Sequence, residues 1–505
     1  MNSQMKRNIL VILCDQLRKD FLSCYGCKAI PTPALDSLAA CGVVFDNALT
    51  VSPVCAPARA SMMTGRYVSD HGVWTNDLPF REGLEYLPER MNALGYATGC
   101  FGKLHHYPAN DAKGFQHVRL TEENRLGEED GYLRWLRARR PGVTNVFNGK
   151  GYEYSLPAEE HYEHWVVDEA LTFMKAGRGS APFFAWVSFQ GPHDPVHPPK
   201  AFKGSVDGAL LPQPISACPD EGEVIRYRRA CAGVTKDRAA LMEKRVAYGD
   251  FIHYIDTQIG RILDGLKEEG LWESTTVLFS ADHGDLLGDH GLMQKGPYPY
   301  RGQLDVPLIL ANQPGVEAGR SAALTGNLDL PATVLDCAGD AHPLGVSRSL
   351  IPMARGEEVS LRRVNYSEFC DSIKTVEDGR WRFSYFPFTG KRMLFDKRAD
   401  TDELVNLSGR GELAGLEAGF LAAVLDHLIV AKGVRVEAHD LVPAQQEGLS
   451  RLAPGWREGF EVAFPLSALE RERLRGEGLD TEYLDFCRAK PVLRCYAKPY
   501  WKTGL

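Results

Sequence analysis

Residues Asn8-Ile9-Leu10-Val11-Ile12-Leu13-Cys14-Asp15 decide how the chain is read. A strand with one face in water alternates polar and apolar residues. This one does not, so both of its faces are covered, as in a largely parallel sheet. It stops at a carboxylate. Working outward, Thr275 to Ala281 is a second such run, ending in Asp282-His283-Gly284. Phe183 to Phe189 is a third, ending in Gly191-Pro192-His193, and Val306 to Ala311 is a fourth. Helical patterns fall between them. Pro33 to Ala40 predicts a short helix stopped by Gly42, and Arg81 to Leu94 another, closed by Gly95. Glu243 to Leu266 predicts a long amphipathic helix, with Tyr248, Phe251, Ile252, Ile255, Ile259 and Ile262 on one stripe. Strands alternating with helices imply an α/β fold. Ligands of such sheets gather outside the carboxyl ends of the strands. Asp15, His193, Asp282 and His283 all stand just past such ends, so they are expected to converge in one crevice.

The character changes after about residue 375. Trp381 to Phe386 and Met393 to Asp396 read as antiparallel strands with a turn at Gly390, and Leu413 to Lys432 as a further helix. The expected organisation is a catalytic unit over 1–375, a sheet-and-helix unit over 376–435, and an extension over 436–505. The extension carries Tyr496, Tyr500 and Trp501 and is expected to wrap the body or a partner subunit, which makes a homo-oligomer the expectation. With 505 residues the chain has room for more than one core.

Composition excludes several classes. A formal net charge of -8 argues against a nucleic-acid partner, although a local cluster of cations can still hold an anion. No apolar stretch is long enough to span a bilayer. The run from Ile9 to Leu13 is too short for a signal peptide, so a cytoplasmic location and no membrane partner are expected. Twelve cysteines show no repeating spacing, and the Cys24/Cys27 pair has no second pair at zinc-like distance, so these read as ordinary thiols.

The sharpest segment is Ser52-Pro53-Val54-Cys55-Ala56-Pro57-Ala58-Arg59-Ala60-Ser61-Met62-Met63-Thr64-Gly65-Arg66. Pro57 suits the first turn of a helix and Gly65 its end. Cys55 then sits at a helix N-terminus, where free N–H groups favour an anion. A cysteine phosphatase loop needs Arg six positions after the Cys, and Ser61 stands there. A buried, inert thiol is the other reading of one cysteine taken alone. The C-x-P-x-R core followed by Thr-Gly-Arg resembles the signature of the formylglycine-dependent sulfatases of the alkaline phosphatase superfamily, whose nucleophile is a cysteine oxidised to formylglycine.

The resemblance runs from Asn8 to about Leu407. It implies a large mixed sheet flanked by helices, with a smaller C-terminal antiparallel sheet. Val11-Ile12-Leu13-Cys14-Asp15-Gln16 and Ser280-Ala281-Asp282-His283-Gly284 resemble the two metal-binding segments. Many members carry two acids in the first and Asn after the Asp in the second. The Asp-Gln with Asp-His combination is similar to a branch near choline sulfatases and phosphonate monoester hydrolases. The implied ligands are Asp15, Gln16, Cys55, Asp282 and His283, a mostly oxygen set that suits Ca²⁺, with Mn²⁺ or Mg²⁺ as alternatives. Gly102-Lys103-Leu104-His105, Gly191-Pro192-His193 and Gln294-Lys295-Gly296-Pro297 resemble further elements of the site. By the resemblance, Lys103 and Lys295 hold sulfate oxygens, Arg59 orients the modified residue, and His105 contacts its hydroxyl. His193 or Lys295 protonates the leaving oxygen. Alone, each Lys would read as a solvated surface charge and His193 as a turn residue. Tyr300-Arg301-Gly302 stands where the family usually has an acid.

The implied activity is hydrolysis of sulfate monoesters, on a sugar or a small aryl or alkyl sulfate, after maturation by a formylglycine-generating enzyme. The rival enzyme is a phosphonate monoester or phosphodiester hydrolase with the same nucleophile; the Lys103/His105 element favours the sulfatase. A non-catalytic binding protein on this fold is the reading from another class. His71, His106, His197 and His290 read as structural, and Trp74 and Asn76 as pocket lining.

Overall fold

The computed structural model of the chain describes residues 6–430, apart from 124, 144–145, 147–153, 177–180, 223–224, 227–228, 230–236, 358–359, 361, 371 and 388. The extension expected over 436–505, and the oligomer contact expected of its aromatics, lie outside the described residues.

Eight strands form the larger sheet: β1 (Asn8–Asp15), β2 (Gly42–Leu49), β3 (Ala97–Gly102), β4 (His117–Leu120), β5 (Phe183–Pro192), β6 (Thr275–Ala281), β7 (Leu308–Ala311) and β8 (Gly319–Gly326). Their order is β4-β3-β5-β1-β6-β7-β2-β8. Ile9 to Leu13 of β1 are wholly buried between β5 and β6. Each such side chain contributes roughly 1.5–3 kcal/mol of burial before chain entropy is charged against it. The long helix, Arg238–Glu268, lays Tyr248, Phe251, Ile252, Ile255, Ile259 and Ile262 on the core as its stripe predicts.

β7 runs antiparallel to both neighbours, whereas the other pairings are parallel. The run Val306 to Ala311 therefore departs from the parallel expectation. Its reason is the connection: the segment after β6 folds back at the carboxyl edge instead of crossing over by a helix. That segment lies across the edge and carries Lys295. The helix expected over Arg81 to Leu94 is shorter, Leu87–Ala93. Pro88 is tolerated in a first turn but not in a helix interior, so the helix cannot start earlier.

The second sheet is an antiparallel meander of β9 (Asn365–Phe369), β10 (Ile373–Glu377), β11 (Trp381–Phe386) and β12 (Lys391–Asp396), in the order β12-β11-β10-β9. The helix Ala414–Val430 packs on it. This sheet starts at Asn365, so β9 and most of β10 fall on the near side of the boundary at 375 that the change of sequence character suggests. No described helix is long and apolar enough to cross a membrane.

Candidate active site

Five parallel strands deliver one functional side chain each at a common edge. Asp15 ends β1, and Asp282 follows β6 beside it. His193 follows β5 on the other flank of β1, Lys103 follows β3, and Glu123 lies just beyond β4. Over this row stands the helix Cys55–Thr64, with Cys55 in its first turn and Gly65 in left-handed backbone (φ 64°) as its cap. Gly65 could not be replaced cheaply, since a Cβ there would meet the Leu344 carbonyl oxygen at 2.1 Å. Asn76 Oδ1 accepts a hydrogen bond from the Ala56 N–H at 3.1 Å, which caps the helix that carries Cys55.

Cys55 is completely buried. Its sulfur lies 3.5 Å from Asp15 Oδ1, 3.2 Å from His283 Nε2 and 2.8 Å from Lys295 Nζ. Lys295 also donates to Gln16 Oε1 at 2.8 Å. Arg59, one turn on from Cys55, donates to Asp282 Oδ2 (2.8 Å), Asp15 Oδ2 (3.2 Å), the Lys103 carbonyl (2.7 Å) and Ser188 Oγ (2.9 Å). Lys103 Nζ lies 2.9 Å from Asp15 Oδ2 and 2.8 Å from Glu123 Oε1. His105 is buried with no hydrogen-bond partner at either ring nitrogen among the described residues.

Three cations, Arg59, Lys103 and Lys295, are thus interleaved with three carboxylates, Asp15, Asp282 and Glu123. Burial by itself would raise the Asp15 carboxyl, but the cations Lys103, Arg59 and Lys295 outweigh it and hold Asp15 well below the usual range. Burial lowers Lys103 and Lys295, yet their anionic neighbours keep both above the ordinary lysine value. The Cys55 thiol is pushed up to about 12, first by burial and then by Asp15. Burial, then Lys295 and Lys103, hold His193 well below the usual histidine value.

Asp15, Cys55, Asp282 and His283 each offer one ligand atom, all within 4.8 Å of one another, and all four are buried. His283 Nδ1 donates to the Gly284 carbonyl at 2.8 Å, so its Nε2 lone pair faces the cluster. Burial drops its pKa to about 4, which keeps that nitrogen free of a proton. The donor set therefore fits a divalent cation. Gln16 is oriented for the same place: Asp285 accepts from its Nε2, which turns the amide oxygen towards Lys295.

A model of the family described as Sulfatase matches residues 7–340. The chain belongs to the sulfatase family. It is a sulfuric ester hydrolase of the alkaline phosphatase superfamily. The chain is 31% identical to an arylsulfatase of Clostridium perfringens, over 80% of its own length and 90% of the relative's. It is 28% identical to a choline-sulfatase of Rhizobium meliloti, over 80% and 82%. Among solved structures, the phosphonate monoester hydrolase of Silicibacter pomeroyi is similar, with a TM-score of 0.75 and 25% identity over 85% of this chain and 96% of that one.

For this sulfatase, the structure brings Asp15, Gln16, Cys55, Arg59, Lys103, His105, His193, Asp282, His283 and Lys295 to one edge. Two of the histidines read as structural have their own partners. His71 pairs with Ser61 Oγ at 3.0 Å, and His290 stacks on Tyr300 at 3.6 Å. Several participants escaped the sequence reading. Asp285 stands two residues past His283 and was within reach of the same motif. Ser188 is hidden inside a uniformly buried strand. Glu122 and Glu123 lie in a loop with no periodicity. Glu122 Oε1 accepts from the His105 N–H at 2.7 Å and so shapes the Lys103/His105 turn.

Proposed function

We propose that this sulfatase hydrolyses the monoesters of small aryl, alkyl or sugar alcohols with sulfate, using residue 55 as formylglycine beside a divalent cation. The observation that carries the reading is the ring of Arg59, Lys103 and Lys295 around a buried residue 55 that also touches a metal-ligand cluster. An unmodified thiol pushed up to about 12 stays protonated at neutral pH and makes a poor nucleophile, which supports the modification. Formylglycine would supply a geminal diol, with one hydroxyl to attack sulfur and the other to expel sulfate as the carbonyl re-forms. Asp15, Gln16, residue 55, Asp282 and His283 would hold the cation, with Ca²⁺ the best match to the oxygen-rich set and Mn²⁺ or Mg²⁺ the alternatives. The cation would supply Lewis-acid stabilisation of the charge that develops on oxygen.

The chain's own residues do the rest. Lys103 and Lys295 grip non-bridging oxygens, and Arg59 locks Asp15 and Asp282 in place while adding positive charge. His193 is neutral in the free enzyme because burial, and then Lys295 and Lys103, disfavour its protonated form. An arriving sulfate offsets those cations, so His193 can take up and deliver a proton to the leaving oxygen. His105, held by the Glu122-braced turn, supports the hydroxyl of residue 55. Because Cys55 is wholly buried, a formylglycine-generating enzyme would have to reach it before this segment folds.

The fold likeness to a phosphonate monoester hydrolase supports a second reading, cleavage of phosphonate monoesters at the same site. Side-by-side turnover of para-nitrophenyl sulfate and para-nitrophenyl phenylphosphonate decides between them. Higher kcat/KM on the sulfate is expected; a large preference for the phosphonate would overturn the first reading.

A further inference from the structure

Glu123 has no place in the chemistry described so far, yet its carboxylate reaches two of the groups assigned to it. Oε1 lies 2.8 Å from Lys103 Nζ and 3.5 Å from His193 Nδ1. Glu123 is only 5% exposed, and its backbone is left-handed (φ 57°), a region that a glutamate enters only when its surroundings force it.

The surroundings do force it. The Thr121 N–H donates to the Gly102 carbonyl at 3.1 Å, and Gln190 Nε2 donates to Thr121 Oγ1 at 3.0 Å. The Glu122 N–H donates to Asp130 Oδ2 at 2.9 Å, while Glu122 Oε1 accepts from the His105 N–H. The loop after β4 is therefore pinned to the ends of β3 and β5, the strands that deliver Lys103 and His193. The left-handed turn at 123 then aims its carboxylate between those two side chains.

We propose that Glu123 is a positioning residue that couples the sulfate-binding Lys103 to the proton donor His193; this rests on the roles given to both under the proposed function. The Asp194 carbonyl, 2.5 Å from His193 Nδ1, can only accept, so Nδ1 carries a hydrogen and Nε2 is the nitrogen left for the leaving oxygen. When His193 is doubly protonated, the Glu123 carboxylate beside Nδ1 stabilises the imidazolium. The same oxygen holds Lys103 Nζ against swinging toward Asp15 alone. Glu123 Oε1 reaches Lys103 and His193, and its influence passes through those two side chains.

The test uses the basicity of the leaving group. Protonation matters little when para-nitrophenolate departs and much more when phenolate does. Glu123→Gln keeps the shape and removes the charge. Its kcat/KM is expected to fall by about 10-fold on para-nitrophenyl sulfate and about 100-fold on phenyl sulfate. His193→Ala should show the same bias, and the double variant should lose little beyond His193→Ala. Glu123→Asp, which keeps the charge on a shorter arm, should recover part of the phenyl sulfate activity, and it serves as the probe if the Gln variant does not fold. Equal losses on both esters for the Glu123 variants, with a biased His193→Ala, would overturn the coupling and leave the acid role intact. Equal losses for His193→Ala as well would overturn the acid role and the coupling together.

Discussion

The cluster around Arg382 and the cluster around Cys55 are made of the same parts. Arg382, Lys397 and Lys19 meet Asp305, Glu377 and Glu403 where the small sheet joins the large one. Arg382 is completely buried, with Nη1 2.5 Å from Glu403, Nε 3.0 Å from Glu377, and Nη2 on Asp305. Lys397 Nζ adds 3.0 Å to Glu377, and Lys19 Nζ 3.7 Å to Asp305. Arg382 and Lys397 end on carboxylates, and Lys19 donates to the Asp46 carbonyl at 2.8 Å with Asp305 beyond it. At the carboxyl edge the count of charges is the same, but Lys295 ends on a sulfur and an amide oxygen, and both His105 nitrogens are unpartnered among the described residues. Charge that is closed on itself holds two sheets together. Charge that converges on one atom, as Lys295 does on the Cys55 sulfur, is arranged to act on that atom.

That contrast can be broken by swapping the damage. Cys55→Ala should lower kcat by roughly 10⁴-fold or more while the melting temperature barely moves. A variant that keeps turnover, or that fails to fold, would remove the distinction. Arg382→Met should do the reverse. Stranding buried carboxylates costs about 3–5 kcal/mol, read as a large drop in Tm, with kcat of the folded protein unchanged. A kcat defect without a Tm change would place Arg382 in the chemistry.

A smaller effect sharpens the same comparison. Burial raises the Asp305 carboxyl, but Arg382, Lys397 and Lys19 overrule it and hold it well below the ordinary value. A depressed acid stabilises the fold above its unfolded pKa of about 3.9 and loses that contribution as pH falls towards its folded value. Tm should therefore fall on acidification below about pH 4, and Asp305→Asn, less stable at neutral pH, should flatten that acid limb. An unchanged limb would mean that Asp305 gains nothing from its cations.

The parts of the molecule that were legible beforehand share a physical reason. β6 is legible at its full length and β1 to within a residue because continuous apolar runs stop abruptly at Asp15 and Asp282. The Cys55 helix was bracketed by Pro57 and Gly65. β3 hid because two glycines interrupt Ala97–Gly102, and β9 and β10 hid because Asn-Tyr-Ser-Glu-Phe and Ile-Lys-Thr-Val-Glu are too polar to stand out. The direction of β7 depends on the loop that feeds it, which no local pattern announces. At the site, residues inside compact motifs could be named, Lys103 and Lys295 included. Glu123 could not, since only the folding of the loop after β4 brings it to Lys103.

The central claim is that residue 55 acts as formylglycine, and mass spectrometry of the peptide that contains it, taken from protein of known specific activity, tests this most directly. Conversion of Cys lowers the peptide mass by about 18 Da, and the account predicts that activity scales with the converted fraction. Full activity from a preparation whose residue 55 is entirely cysteine would contradict it.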